Sequence, residues 1–153
     1  MREARRYLEK TTVMAKQVQR ENQSAHQTKW AAQFAVASEL CKRGYEVALT
    51  RGNYPVVDLM ILSPAGVPFL IDVIGQSKKN FWPVRRKRAR GKLFYVLAFV
   101  PNVGQNRFFI LSREVIEREI RRASGLDGEP ISLPNVGWDS VKKHEDAWKI
   151  LPE

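Results

Sequence analysis

The alternation of apolar and polar residues predicts a β-hairpin near the middle of the chain. Residues 56–63 and 67–74 are rich in valine, leucine and isoleucine, and a Pro-Ala-Gly turn separates the two runs. A hairpin that folds symmetrically about Ala65 places Asp58 directly opposite Asp72. The two carboxylates would then face each other within strands that are otherwise apolar.

This pair of aspartates is the first candidate for chemistry. Like charges on opposed strands repel, and burying them is costly unless a positive charge lies between them. Asp58 and Asp72 therefore predict a site of hard oxygen ligands that suits Mg²⁺, or Mn²⁺ in its place. Such an ion polarises a phosphodiester, activates water and stabilises the leaving oxygen. The competing interpretation is that Asp58 ends a loop and Asp72 lies exposed on an edge strand.

Residues 28–43 show the spacing of a helix that precedes the hairpin, and Gly44 supplies its C-terminal stop. The stripe predicts that its apolar side chains, the single cysteine included, pack into the core. A strand is predicted over residues 45–50, between the helix and the hairpin. The apolar stripe of the helix consists of Trp30, Phe34, Ala37, Leu40 and Cys41.

The elements predicted after the hairpin complete an α/β architecture. Residues 93–100 are entirely apolar, which is typical of a strand covered on both faces in the centre of a sheet. A shorter strand follows over residues 107–111, and a helix capped by Ser112 follows that strand. A terminal helix is predicted over residues 138–151, docked by its two tryptophans. This order predicts a mixed α/β sandwich.

The net charge of +10 is concentrated in one short segment and in the N-terminal residues. Residues 78–92 carry eight Lys or Arg side chains and no acid, and residues 1–30 carry seven against three glutamates. A basic strip of this kind favours a polyphosphate partner such as a nucleic acid. We expect the strip to contact the phosphate backbone of that partner, with an affinity that depends strongly on salt. The alternative is a solvated charged loop. The side chains assigned to nucleic-acid binding are Lys78, Lys79, Asn80, Trp82, Arg85, Arg86, Lys87, Arg88 and Arg90.

Two aromatic residues interrupt this basic segment. An exposed Phe81 or Trp82 could stack on a splayed base. The alternative is that both rings pack into the core at the mouth of the sheet, which we expect more of Phe81 than of Trp82. Asn80 can bond to a phosphate or to a base edge.

Composition narrows the remaining function classes. No apolar run is long enough to cross a membrane, and the N-terminus lacks the apolar stretch of a secretory signal. A single cysteine excludes an internal disulfide and favours a reducing, cytoplasmic setting. One cysteine and two distant histidines also disfavour a structural zinc site. No Ser-His-Asp order, phosphate-cradling glycine loop or dinucleotide fingerprint is present.

Residues 28–111 resemble the PD-(D/E)XK nuclease superfamily, the group with the restriction-endonuclease-like and Holliday-junction-resolvase-like fold. The resemblance implies an α/β protein with a three-layer core, in which helices flank a mixed β-sheet. It also implies a nuclease-like domain over residues 28–153, and the basic residues before it predict a helical N-terminal arm over residues 1–27. The stretches that carry the resemblance are residues 35–40, 43–47, 57–59, 71–73, 80–83 and 93–100.

The resemblance further implies roles for individual residues. Asp58 matches the first metal-binding aspartate of the family's motif, and Asp72 matches the variable acid that follows it. Ile74 stands where the motif has a lysine, and Gln33 stands where a glutamate is often found on the first helix. In an active enzyme Gln33 would orient a metal-bound water, and Lys78 would be the stand-in cation. Lys78 could instead begin the phosphate-binding strip.

Two functions follow as expectations. The first is a DNA-binding endonuclease that hydrolyses phosphodiesters with Mg²⁺ or Mn²⁺. The second is a non-catalytic module of the same fold that binds DNA or a partner protein, which the residues at positions 33 and 74 favour. An RNA-associated basic protein is a third option. A two-fold homodimer is expected from symmetry, since nucleases that cut both strands are often dimers.

Overall fold

A computed structural model of the chain describes residues 3–6, 8–11, 23–50, 57–123 and 134–153. Residues 3–6 and 8–11 are helical; most of the predicted N-terminal arm lies outside the described residues. From residue 23 onwards the helices are α1 (Ala25–Lys42), α2 (Arg113–Ala123) and α3 (Trp138–Val141). The strands are β1 (Glu46–Leu49), β2 (Leu59–Leu62), β3 (Pro68–Gln76), β4 (Trp82–Pro83), β5 (Leu93–Phe99), β6 (Arg107–Ser112) and β7 (Asn135–Val136).

Five strands form one mixed sheet in the order β1-β2-β3-β5-β6. Neighbouring strands are antiparallel except β3 and β5, which are parallel. The predicted mixed α/β architecture is therefore confirmed. The entirely apolar strand β5 lies between β3 and β6, as its sequence predicted. Parallel strands need a crossover connection, and the basic segment forms the one between β3 and β5.

Helices cover the sheet on both faces. Val96 and Ala98 of β5 belong to a core cluster with α1, while Tyr95 and Leu97 belong to a second cluster with α2. Because successive side chains of a strand point to opposite faces, the entirely apolar β5 supplies both clusters. The small β4–β7 ladder packs with the second cluster through Trp82.

The predicted hairpin register is confirmed. Leu59 pairs with Ile71 and Met60 with Leu70, which is the pairing expected for symmetry about Ala65. The turn is closed by the Ser63 N–H, which donates to the Val67 carbonyl at 3.0 Å. One further step along this register places Asp58 opposite Asp72.

The buried face of α1 differs from the predicted stripe. Phe34 is 54% exposed and stacks on Trp30 with ring centroids 5.4 Å apart. Cys41 is also exposed, so its predicted place in the core is wrong. The face that packs on the sheet consists of Thr28, Ala32, Gln33, Val36 and Leu40.

Close approach of α1 to β3 explains this choice of face. A Cβ atom added at Gly75 would lie 2.6 Å from the Ala32 Cβ and 3.0 Å from the Thr28 carbonyl oxygen. Backbones this close leave room only for small side chains between them. The large aromatic rings of Trp30 and Phe34 therefore lie on the outer side of the helix.

The C-terminal segment does not form the single helix predicted over residues 138–151. Trp138 packs with the α2-side cluster and Trp148 with the α1-side cluster, so the segment passes from one face of the sheet to the other. One straight helix cannot dock both rings. The chain breaks at Asp146, whose φ is 49°, and Glu145 makes a two-point ion pair with Arg107 at 2.6 and 2.8 Å.

None of the helices in the described ranges combines the length and the apolar character that crossing a membrane requires.

Candidate active site

The two aspartates lie where β2 and β3 part. The β2–β3 ladder ends at the Leu59–Ile71 pair, while β3 continues to Gln76 beside β5. Beyond the ladder, the Val73 N–H donates to Oδ2 of Asp58 at 2.9 Å. The Asp58 side chain thus takes the place that a backbone carbonyl would have in a continued ladder. A short acceptor side chain competes with the backbone in this way, and the carboxylate is thereby fixed against the adjacent strand.

Asp58 is held from a second direction by α1. The Gln33 Nε2 donates to Oδ1 of Asp58 at 2.6 Å, and the Lys29 Nζ lies 3.6 Å from the same oxygen. Lys29 and Gln33 are four residues apart, so they lie on one side of the helix. Gln33 is buried, with 4% of its surface exposed, and it holds the carboxylate in one orientation.

Asp72 is the more deeply buried of the two acids, with 3% of its surface exposed. Burial raises the pKa of Asp72 to about 7; the Lys87 ammonium opposes the rise, and the Asp58 carboxylate in contact with it adds to the rise. The Lys87 Nζ lies 3.1 Å from Oδ1 of Asp72. Asp72 therefore holds its proton more strongly than an exposed aspartate does, although the Lys87 ammonium lies beside it.

The carboxylates open into a cleft of about 290 Å³. Its wall carries three cationic side chains, Lys29, Arg85 and Lys87, against the two acids. A phosphate group entering the cleft would meet a net positive charge next to the aspartates. Ile74, which stands where the motif that the sequence resembles has a lysine, also lines the cleft and contributes only apolar surface.

The donor set fits a hard divalent ion. Mg²⁺ is usually held by one or two carboxylates and keeps several of its waters. Each Asp58 oxygen already accepts one hydrogen bond, but a carboxylate offers about four lone-pair positions in all. Among the residues that the structure describes, no group of three or more His, Cys, Asp or Glu side chains could hold a metal. A metal ion at this site would therefore have Asp58 and Asp72 as its two carboxylate ligands and water at its other positions.

The cation beside Asp72 is Lys87, whereas Lys78 was the predicted stand-in. Lys78 lies in an exposed turn just after β3. Lys87 reaches the acid because its segment folds back over the sheet, where its backbone N–H donates to the Tyr95 hydroxyl at 3.3 Å. The Arg113 guanidinium also fastens this segment, donating to the Ala89 carbonyl at 2.7 Å.

The aromatic residues of the basic segment exchange their predicted places. Trp82 is fully buried against Phe109 and Trp138, so the predicted contact of Trp82 with a nucleic-acid base is wrong. Phe81, expected in the core, is 62% exposed. In the strand pair β4–β7 successive side chains alternate, and the larger indole takes the inward position.

The remaining residues assigned to nucleic-acid binding lie at the surface. Lys79 lies over the Trp138 ring, 4.9 Å from its centroid. Lys87 is half-buried because it faces Asp72, and Arg85 lines the cleft. The exposed members of the set are Lys78, Lys79, Asn80, Arg85, Arg86, Arg88 and Arg90.

Sequence reasoning missed two contributors, Lys29 and Lys87, as neighbours of the acids. The position of Lys29 could have been predicted, because it precedes Gln33 by one helical turn and Gln33 was already a candidate site residue. The position of Lys87 could not, since nothing in the spacing of the basic segment distinguishes it from the other cations.

Comparison with known proteins gives no further identification. No family model matches the chain, and no curated protein or solved structure matches it.

Proposed function

We propose that this protein binds DNA and hydrolyses its phosphodiester backbone with Mg²⁺ or Mn²⁺ at Asp58 and Asp72. The observation that carries the proposal is the meeting of these two carboxylates in a cleft whose wall also holds Lys29, Arg85 and Lys87. Paired acids suit a divalent ion, and the surrounding cations suit a phosphate. The proposed fold is the restriction-endonuclease-like core, which the α1-β1-β2-β3-β5 order and the parallel β3–β5 pair support.

Asp58 and Asp72 would hold the ion, which would polarise the phosphodiester and lower the pKa of a bound water. Gln33 and the Val73 N–H orient Asp58 through hydrogen bonds of 2.6 and 2.9 Å. Gln33 is thus a positioning residue for the acid, in place of the water-orienting role expected from the sequence. Lys87 neutralises charge beside Asp72, the task that a lysine at position 74 would perform.

The basic segment supplies most of the affinity for the nucleic-acid backbone. The exposed arginines of this segment do not pack into the core. They begin at Arg85, which lines the cleft together with Pro83. Affinity that comes from phosphate contacts falls steeply as salt rises, because bound counterions are released. Each arginine that contacts a phosphate contributes about one unit to that salt dependence.

A non-catalytic binding module is the second candidate, and a specific observation favours it. Lys87 already neutralises Asp72, and Gln33, Val73 and Lys29 already engage Asp58. The carboxylates therefore have protein partners before any ion binds. In this alternative the basic segment holds nucleic acid while the acids serve only to fix the cleft.

Cleavage of plasmid, branched and single-stranded DNA in the presence of Mg²⁺ or Mn²⁺ distinguishes the two. We expect cutting by the wild-type chain that Asp58→Asn and Asp72→Asn each reduce about 100-fold or more. Asp139→Asn is the matched control, because the Asp139 side chain is fully exposed on α3. Cutting that survives in both site variants would overturn the nuclease assignment.

Binding to DNA is tested separately from cleavage by measuring affinity in EDTA over a series of salt concentrations, with structured RNA as competitor. Tight, salt-sensitive binding to DNA without any cutting by the wild-type chain would favour the non-catalytic module. Stronger competition by RNA than by duplex DNA would move the proposed partner to RNA.

A further inference from the structure

Phe81 presents a large apolar ring to solvent near the start of the basic segment. It is 62% exposed, and Asn80 separates it from the cationic side chains of Lys78 and Lys79. One edge of the ring lies near Gly137, where an added Cβ atom would be 3.8 Å from the ring. Most of the Phe81 side chain is open to solvent, so it contributes little to the core.

The backbone that carries Phe81 is fastened on both sides. The Gln76 side-chain amide donates to the Phe81 carbonyl, and the Asn80 side chain accepts from the Phe81 N–H at 2.8 Å. The Trp138 Nε1 donates to the Asn80 carbonyl at 2.7 Å. The backbone at Phe81 is thereby held in place before any partner arrives, which lowers the backbone entropy lost on binding.

The position of Phe81 links it to the cleft. Gln76 follows Gly75 at the end of β3, and Gly75 lines the cleft with Asp72. On the other side, Pro83 of β4 lines the same cleft two residues after Phe81. A strand whose phosphate lies in the cleft would therefore pass its neighbouring nucleotides along the loop that bears the ring.

We propose that Phe81 stacks on a nucleic-acid base that is out of the duplex stack, next to the phosphate held at the carboxylate cleft. The inference rests on the proposed nucleic-acid binding and names its preferred substrate class, a duplex interrupted by an unpaired nucleotide. The exposed Lys78 and Lys79, three and two residues before the ring, make this partner a better match than an apolar protein surface, because they can contact phosphates next to the stacked base. Base stacking on an aromatic side chain is tolerant of sequence, so the preference is for structure.

Binding to two otherwise identical DNA duplexes tests the inference, one fully paired and one with a single bulged 2-aminopurine. Both are titrated in EDTA, so that cleavage cannot interfere. We expect the wild-type chain to bind the bulged duplex about 5- to 150-fold more tightly and to quench its fluorescence by stacking. Phe81→Ala should remove the preference and the quenching while leaving affinity for the paired duplex unchanged.

Three further variants serve as controls for the role of the aromatic ring at position 81. Phe81→Leu keeps an apolar side chain near Gly137 but removes the aromatic face, so it should also lose the preference. Phe81→Trp should retain it. Phe34→Ala removes a comparably exposed phenyl ring from α1 and should change nothing.

Each outcome has one meaning. A preference that persists in Phe81→Ala and Phe81→Leu overturns the inference and leaves the proposed function intact. Equal affinity of the wild-type chain for the two duplexes also overturns the inference and leaves the proposed function intact. Failure of the wild-type chain to bind either duplex overturns the proposed function, and this inference with it.

Discussion

The Lys87 ammonium lies 3.1 Å from Oδ1 of Asp72, on the cleft that Ile74 also lines. Asp72 and Ile74 point to the same face of β3, since side chains of a strand alternate. The cation beside Asp72 is therefore supplied by the crossover segment and not by the strand that carries the acid.

Lys87→Met should reduce cleavage far more than Lys78→Met does. Removal of one preorganised charge from an active site costs about 100- to 1,000-fold in rate, and Lys87 is the lysine that contacts Asp72. Lys78→Met, a change of the same kind on an exposed turn, should leave the rate at the metal site within a few-fold. Single-turnover cleavage at saturating enzyme separates this effect from weaker DNA binding. Equal losses in the two variants would contradict the assignment.

Ile74→Lys should restore the activity that Lys87→Met removes. A lysine at position 74 projects into the same cleft, where its ammonium can take the position beside Asp72. We expect the double variant Ile74→Lys/Lys87→Met to cut at least tenfold faster than Lys87→Met alone. Ile74→Met in the same background is the matched control, since it fills similar volume without a charge. A double variant no faster than this control would show that position 74 cannot carry the cation.

The contribution of Asp72 to the stability of the metal-free protein should fall as pH rises from about 4 to about 7. Asp72 has a pKa raised from 3.8 to about 7 in the folded chain, so the folded state binds a proton more readily than the unfolded state. The stabilising contribution of the protonated acid is present below pH 4 and is lost as pH approaches 7. A shift of this size corresponds to a few kcal/mol at most, by roughly 1.4 kcal/mol per pH unit.

Urea unfolding in EDTA at several pH values measures this contribution. Asp72→Asn should flatten the pH dependence over that window, whereas Asp139→Asn should leave it unchanged. Mg²⁺ should stabilise the wild-type chain more at pH 8 than at pH 5, because a carboxylate must lose its proton to bind an ion. A pH profile identical in wild type and Asp72→Asn would exclude Asp72 as its source.

Gly75→Ala should destabilise the fold by about 1–3 kcal/mol through overpacking. The added methyl would lie 2.6 Å from the Ala32 Cβ, so α1 and β3 must move apart. Ala32→Gly removes that clash, and we expect the double variant to be less destabilised than the sum of the two single changes. Gly137→Ala is the control, because its added methyl meets its nearest neighbour at an ordinary 3.8 Å. Strict additivity at 75 and 32 would contradict the packing argument.

Gly75→Ala and Ala32→Gly should also change the rate of cleavage. Gln33 follows Ala32 on α1 and holds Asp58 at 2.6 Å, so a displaced helix loosens the acid. Gly75→Ala should therefore slow cleavage even at temperatures where the chain remains folded, and Ala32→Gly should recover part of the rate.

Local sequence determined the hairpin and the acids that it carries. Turn residues and strand composition act over a few positions, so the register that sets Asp58 opposite Asp72 could be predicted before any tertiary contact was known. The same holds for the doubly covered strand β5, because an uninterrupted apolar run needs cover on both faces.

Only the tertiary structure decided which face of α1 is buried and which side chains complete the cleft. Periodicity identified a helix but favoured Trp30 and Phe34, whereas the close approach of Gly75 to Ala32 excludes large rings from that interface. The choice of Lys87 among the cations of the basic segment follows from how its crossover returns over the sheet. Contacts between residues distant in sequence depend on that path, and no local pattern encodes it.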